Sequence, residues 1–142
     1  MPKNINQLIK IKASPQEVYE ALTDEAKHAA FTGEPAKIQA TMGGAFSAYD
    51  GYITGTLTEL VPNKLIVLQW NDDRFRSQGR RSAVDERVKQ GLYSTATFMI
   101  DPEDGGTRLR FFQQGIPEDL YDELSAGWQE HYWDKLKAAL EK

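Results

Sequence analysis

Residues 118–140 read EDLYDELSAGWQEHYWDKLKAAL, and this stretch decides the fold. At 100° per residue, Tyr121, Leu124, Trp128, Tyr132, Leu136 and Ala139 fall in one sector about 120° wide. Glu123, Glu130, Asp134, Lys137 and Glu141 occupy the other side. The spacing predicts one long amphipathic helix with a broad apolar stripe rich in aromatic rings. A stripe of that width must lie against something large, and a curved sheet is the candidate cover.

The chain before it supplies such a sheet. From Ala36 the apolar period drops to two, with turn dipeptides at Gly43-Gly44 and Asp50-Gly51. Strands are expected over 36–41, 45–49, 52–60, 65–70, 92–100 and 107–113, and an earlier one over 5–12. Gly55, inside one of these runs, suggests a bulge or bend that curves the sheet. Pro62-Asn63-Lys64 and residues 102–106 make the later turns. Neighbouring strands in sequence imply antiparallel pairing. Ser14-Pro15-Gln16-Glu17 is a helix start, in which Ser14 caps, Pro15 tolerates the first helical position and Glu17 completes a capping box. A second short helix is expected over 24–31, stopping at Gly33.

The composition bounds the function. The chain has 142 residues, 40% hydrophobic and 27% charged, which suits one soluble globular domain over 1–142. With no cysteine there is no disulfide, thiolate nucleophile or thiolate zinc site. His28 and His131 lie too far apart for a local metal motif. The expectation is no metal, no cofactor and no catalytic set. Net charge −4 weighs against nucleic acid. No apolar run reaches the ~20 residues of a membrane span, so the expected setting is cytoplasmic, with no membrane partner. The glycine pairs match neither the phosphate-loop nor the dinucleotide spacing and read as turns.

Residues 72–91 stand apart, with six basic and four acidic side chains in a protein of net negative charge. Arg74, Arg76, Arg80, Arg81, Arg87 and Lys89 read either as a lid or anion patch over a cavity mouth, or as a solvated loop. A short helix over 83–90 is expected there.

The order of elements predicts an α+β fold, a curved antiparallel sheet of six to seven strands around one long C-terminal helix. Residues 14–23, SPQEVYEALT, resemble the opening of the SRPBCC superfamily, whose START-like or Bet v 1-like fold is called the helix-grip. Asp50-Gly51-Tyr52-Ile53-Thr54-Gly55, Gly105-Gly106-Thr107-Arg108-Leu109 and residues 127–133, GWQEHYW, resemble the narrower group of bacterial proteins similar to the activator of Hsp90 ATPase, the AHSA1-like family. The resemblance implies the helix-grip fold. In the superfamily at large it implies binding of lipids or aromatic polyketides and, in a few members, cyclisation or dehydration.

The first function expected is binding of a small hydrophobic molecule between sheet and C-terminal helix. Trp128, Tyr132, Tyr121, Leu124 and His131 would contribute from the helix. Trp70, Phe98, Phe111, Phe46 and Leu57 would contribute from the strands. The alternative for the helix aromatics, and the one the pattern leans to, is plain core packing against the sheet. A second expectation is an enzyme of polyketide cyclase or hydrolase type, with His131, Glu59 and the tyrosines as polar candidates. The third is a homodimeric or chaperone-related interaction module, which predicts an apolar patch on the outer sheet face near Tyr52, Phe75 and Phe112.

Overall fold

Ser14 opens the first helix as its neighbours predict. Its Oγ accepts the Glu17 N–H at 3.2 Å, and Glu17 Oε1 accepts the Ser14 N–H at 3.4 Å. Helix α1 (Pro15–Thr23) therefore starts on a closed capping box. Asp24 caps helix α2 (Glu25–Thr32), which Gly33 ends in the left-handed region at φ 80°. The computed structural model describes residues 4–49, 53–72, 94–115 and 121–141, and the basic stretch expected as a lid lies almost wholly outside them.

Seven strands form one antiparallel sheet. They are β1 (Ile5–Ile11), β2 (Lys37–Ile38), β3 (Ala45–Ala48), β4 (Ile53–Val61), β5 (Leu65–Asp72), β6 (Ser94–Glu103) and β7 (Gly106–Gln114). Their order is β1-β7-β6-β5-β4-β3-β2, so the first strand flanks the last and the two edges are β1 and β2. This is the helix-grip architecture expected from the sequence.

Three strand expectations are corrected. The second strand is two residues long because Gln39 to Gly44 turn on themselves through Thr41 N–H to Gln39 O and Gly44 N–H to Thr41 O. The sixth runs on through Pro102 to Glu103 before turning at Asp104-Gly105, with Gly105 at φ 83°. Pro102 is tolerated there because Met99 is the last β6 residue with a β5 partner. The bulge lies at Thr58, between Leu57 and Glu59, and not at Gly55. Gly55 keeps regular register against Phe46 and Trp70, but a Cβ there would fall 1.9 Å from the Gln69 carbonyl oxygen.

The C-terminal helix α3 spans residues 121–140 among those described. It is α-helical over Tyr121–Trp128 and Asp134–Leu140, with a π turn over Gln129–Trp133 between them. The Asp134 N–H bonds to Gln129 O, five residues back. The extra residue in that turn brings Trp133, which straight α periodicity puts outside the stripe, to full burial beside Trp128 and Tyr132. Leu124, Trp128, Tyr132, Trp133 and Leu136 then face Ile9, Leu57, Leu68, Phe98 and Phe111 in one core. Among the described residues no helix is long and apolar enough to cross a membrane.

Candidate functional site

Two glutamines on the neighbouring strands β1 and β7 hold the tryptophans of α3. The Trp128 indole donates to Gln113 Oε1 at 2.8 Å, and Gln113 Nε2 donates to Ser94 Oγ at 2.7 Å. The Trp133 indole donates to Gln7 Oε1 at 2.6 Å, while Gln7 Nε2 reaches the Ser125 carbonyl at 3.2 Å. Gln113 is fully buried, so these bonds supply the partners that burial demands. The rings pack on one another. Trp128 and Trp133 stack at 5.5 Å between centroids, and Phe111 lies 4.2 Å from Trp128.

Among the described residues, the interior between sheet and helix holds a cavity of about 10 Å³, lined by Leu22, His28, Phe46, Leu57, Ile66, Leu68, Phe98 and Tyr132. That is the room one water molecule needs. An open hollow of about 600 Å³ lies where the end of β1 and the β6–β7 turn meet the C-terminal end of α3. His28, 1% exposed, brings its Nε2 within 3.0 Å of the Tyr132 hydroxyl. Phe31, Phe46 and Tyr132 surround its ring. Burial pushes its pKa down to about 4, against the opposing pull of the Leu22 and Ala21 carbonyls. His28 is therefore neutral at pH 7. Its Nδ1 closes no hydrogen bond among the described residues.

At the rim, Tyr49 adopts φ 51°, rare for a residue with a side chain. Its hydroxyl donates to the His131 carbonyl within the π turn. Burial, with the Glu34 carboxylate adding to it, pushes the phenol up to about 12, so Tyr49 stays a donor at any ordinary pH.

The residues expected to line a binding cavity separate into groups. Phe46, Leu57, Phe98 and Tyr132 converge on the small cavity. Trp128, Phe111 and Leu124 are buried in the packed cluster, and Tyr121 packs partly buried against it. The Trp70 side chain lies outside the described residues. His131 stands at the rim and not in the wall of the small cavity, its ring 53% exposed, 3.9 Å from Glu130 and 5.8 Å from the Tyr49 ring. Glu59 is exposed on β4 and cannot serve a buried pocket. The interior polar residue that sequence reasoning missed is His28. A signal existed, since His28, Phe31 and Thr32 stand at helical spacing on one face of α2.

The outer sheet face has its own pattern. Register places Leu8, Arg110, Met99, Leu65 and Val61 in one row across five strands. Asn6, Phe112, Thr97, Val67 and Glu59 form the next row. Leu8 is 58% exposed and Val61 39%, and Met99, Leu65, Val67 and Phe112 are half-buried. Tyr52 and Phe75 lie outside the described residues.

The sequence profile of the family described as "Activator of Hsp90 ATPase homolog 1-like protein" matches residues 12–141. The chain belongs to that family. This AHSA1-like chain is 34% identical over 124 residues to the Activator of 90 kDa heat shock protein ATPase homolog 1 of Homo sapiens, a match covering 87% of the chain and 33% of the relative. It thus spans about a third of the length of such curated relatives. An HSP90 activator from Plasmodium falciparum superposes with TM-score 0.80 at 20% identity, over 97% of this chain and 96% of that one. The Aha1 dimer from Colwellia psychrerythraea gives 0.75 at 24% identity, over 98% and 96%. At these identities the AHSA1-like likeness to solved structures is one of fold.

Proposed function

We propose that this AHSA1-like chain is a protein-interaction module directed at an Hsp90-class chaperone. One observation carries the reading. Among the described residues, aromatic rings pack the interior between sheet and C-terminal helix around a cavity of about 10 Å³, far below the several hundred that drug-sized ligands occupy, and the larger hollow of about 600 Å³ is an open one with charged walls at the end of the helix. The surface is then the place to look, where the outer sheet face presents Leu8, Met99, Leu65 and Val61 in one row with Arg110 between Leu8 and Met99. The 34% identity to a human activator of the 90 kDa heat shock protein ATPase supports the choice of partner, and the description of the Colwellia relative as a dimer supports a surface that takes protein.

The test mixes the chain with the Hsp90-class chaperone of the same cell and follows binding by calorimetry and ATP hydrolysis by phosphate release. The expected result is a transient complex, with a dissociation constant on the order of 10 µM, and a changed ATPase rate. No heat of binding together with an unchanged rate overturns the reading.

A second reading rests on the convergence of Phe46, Leu57, Phe98 and Tyr132 on one cavity beside His28. A small flat apolar molecule would enter if α3 moved off the sheet there. Native mass spectrometry of the protein from its own cell decides it, since a stoichiometric apolar compound released on unfolding favours the ligand over the chaperone.

A further inference from the structure

The two edges of the sheet are unequal. Edge strand β2 is two residues long, which leaves little backbone to pair with. Edge strand β1 is seven residues long, Ile5-Asn6-Gln7-Leu8-Ile9-Lys10-Ile11, and contains neither proline nor bulge. Long regular edges invite another strand, and proteins usually blunt them. Among the described residues, only β7 hydrogen-bonds the backbone of residues 5–11. At the middle of this edge stands Leu8, at 58% the most exposed apolar residue of that row.

We propose that β1 pairs antiparallel with β1 of a second copy of this chain, about a two-fold axis through Leu8. A two-fold is the usual symmetry of such a contact. Centring it on Leu8 pairs all seven residues, and the side chains agree with that register. Leu8 meets its own copy, Asn6 faces Lys10, Gln7 faces Ile9 and Ile5 faces Ile11. No like charges oppose one another. Moving the axis by one residue sets Leu8 against Lys10 or Asn6 and shortens the ladder. In the centred register the row Val61, Leu65, Met99, Arg110, Leu8 continues into its copy, so that the Leu8 pair is flanked on each side by Arg110, held by Asp101, and then by the apolar Met99, Leu65 and Val61. The chaperone reading is not needed for this dimer.

The two-fold repeats every cross-strand pair, so each substitution acts twice. Asn6, Leu8 and Lys10 are exposed on the outer face, and changing them leaves the core alone. Sedimentation equilibrium of the full chain from roughly 1 µM to 1 mM should show a monomer–dimer equilibrium. Asn6→Lys sets lysines opposite each other and should raise the dissociation constant about fivefold to tenfold. Asn6→Lys combined with Lys10→Glu places opposite charges in the same positions and should return it to within about twofold of the parent. Leu8→Lys should abolish the dimer across the range, with an unchanged far-UV spectrum showing that the fold is intact. A parent chain that stays monomeric, a dimer indifferent to Leu8→Lys, or a double variant no better than Asn6→Lys overturns the proposal.

Discussion

A neutral imidazole at position 28 makes the core answer to protons. His28 titrates near 4 when folded because burial disfavours its charge, against about 6.5 when unfolded. The folded-state value is the lower one, so the unfolded chain takes up the proton first as pH falls. The stabilisation is fully present above about pH 6.5 and is lost between there and pH 4. At about 1.4 kcal/mol per pH unit, the loss amounts to roughly 3 kcal/mol. Urea unfolding at a series of pH values should show this slope in the parent and a flatter one in His28→Leu. Equal slopes would assign the acid sensitivity to other groups. Trp128 makes a second residue-scale case. In Trp128→Phe the buried Gln113 Oε1 loses its indole donor, at a cost of about 1–3 kcal/mol beyond the lost packing. Trp128→Phe combined with Gln113→Leu should regain part of that cost in the same assay, because the unpaired Gln113 Oε1 is then gone, and only part, because the buried Ser94 Oγ loses the Gln113 Nε2 donor.

Elements were legible where their causes are local. The capping box at Ser14 and the stop of the second helix at Gly33 depend on four or five neighbouring residues, and the structure forms both, with Asp24 capping that helix where the sequence pattern places it inside. The π turn was not legible, because its extra residue is settled by rings distant in sequence. Trp133 stacks on Trp128 while Gln7, 126 positions away, accepts its N–H. The stripe drawn at a fixed 100° therefore found Tyr132 and left out Trp133. Of the candidate site, the apolar walls could be read from alternation. The exposure of His131 and the burial of His28 could not, since each depends on which side of its helix meets the sheet. Gly55 is misread for a related reason, as its role comes from the neighbouring strand. A methyl group there would fall 1.9 Å from the Gln69 carbonyl, so β4 and β5 must part. Gly55→Ala should cost several kcal/mol, about as much as a serious core defect, and should lower the urea midpoint far more than Gly33→Ala, where only the left-handed conformation opposes the side chain, at about 1 kcal/mol. Similar midpoints for the two variants would show that the sheet absorbs the methyl group.

At the scale of the whole molecule the question is whether the grip of sheet on helix is closed or merely empty. A filled interior and an accessible pocket differ in how they respond to small apolar probes. Leu57 is 1% exposed and lines the 10 Å³ cavity, so Leu57→Ala should enlarge it at a cost of about 2–5 kcal/mol. The enlarged void, apolar except for His28 and Tyr132, takes up benzene-sized molecules. A probe at ten times its dissociation constant then restores about 1.4 kcal/mol, which is roughly 3–6 °C in melting temperature for a chain of this length. The parent, with no room for the probe, should not shift at all. If the parent rises with the probe as far as Leu57→Ala does, α3 must part from the sheet readily enough to admit a guest. The wall residues would then bind as well as pack, and the weight would pass from the chaperone to an apolar ligand. If only the variant responds, the aromatic cluster is a closed core, and recognition falls to the outer surfaces.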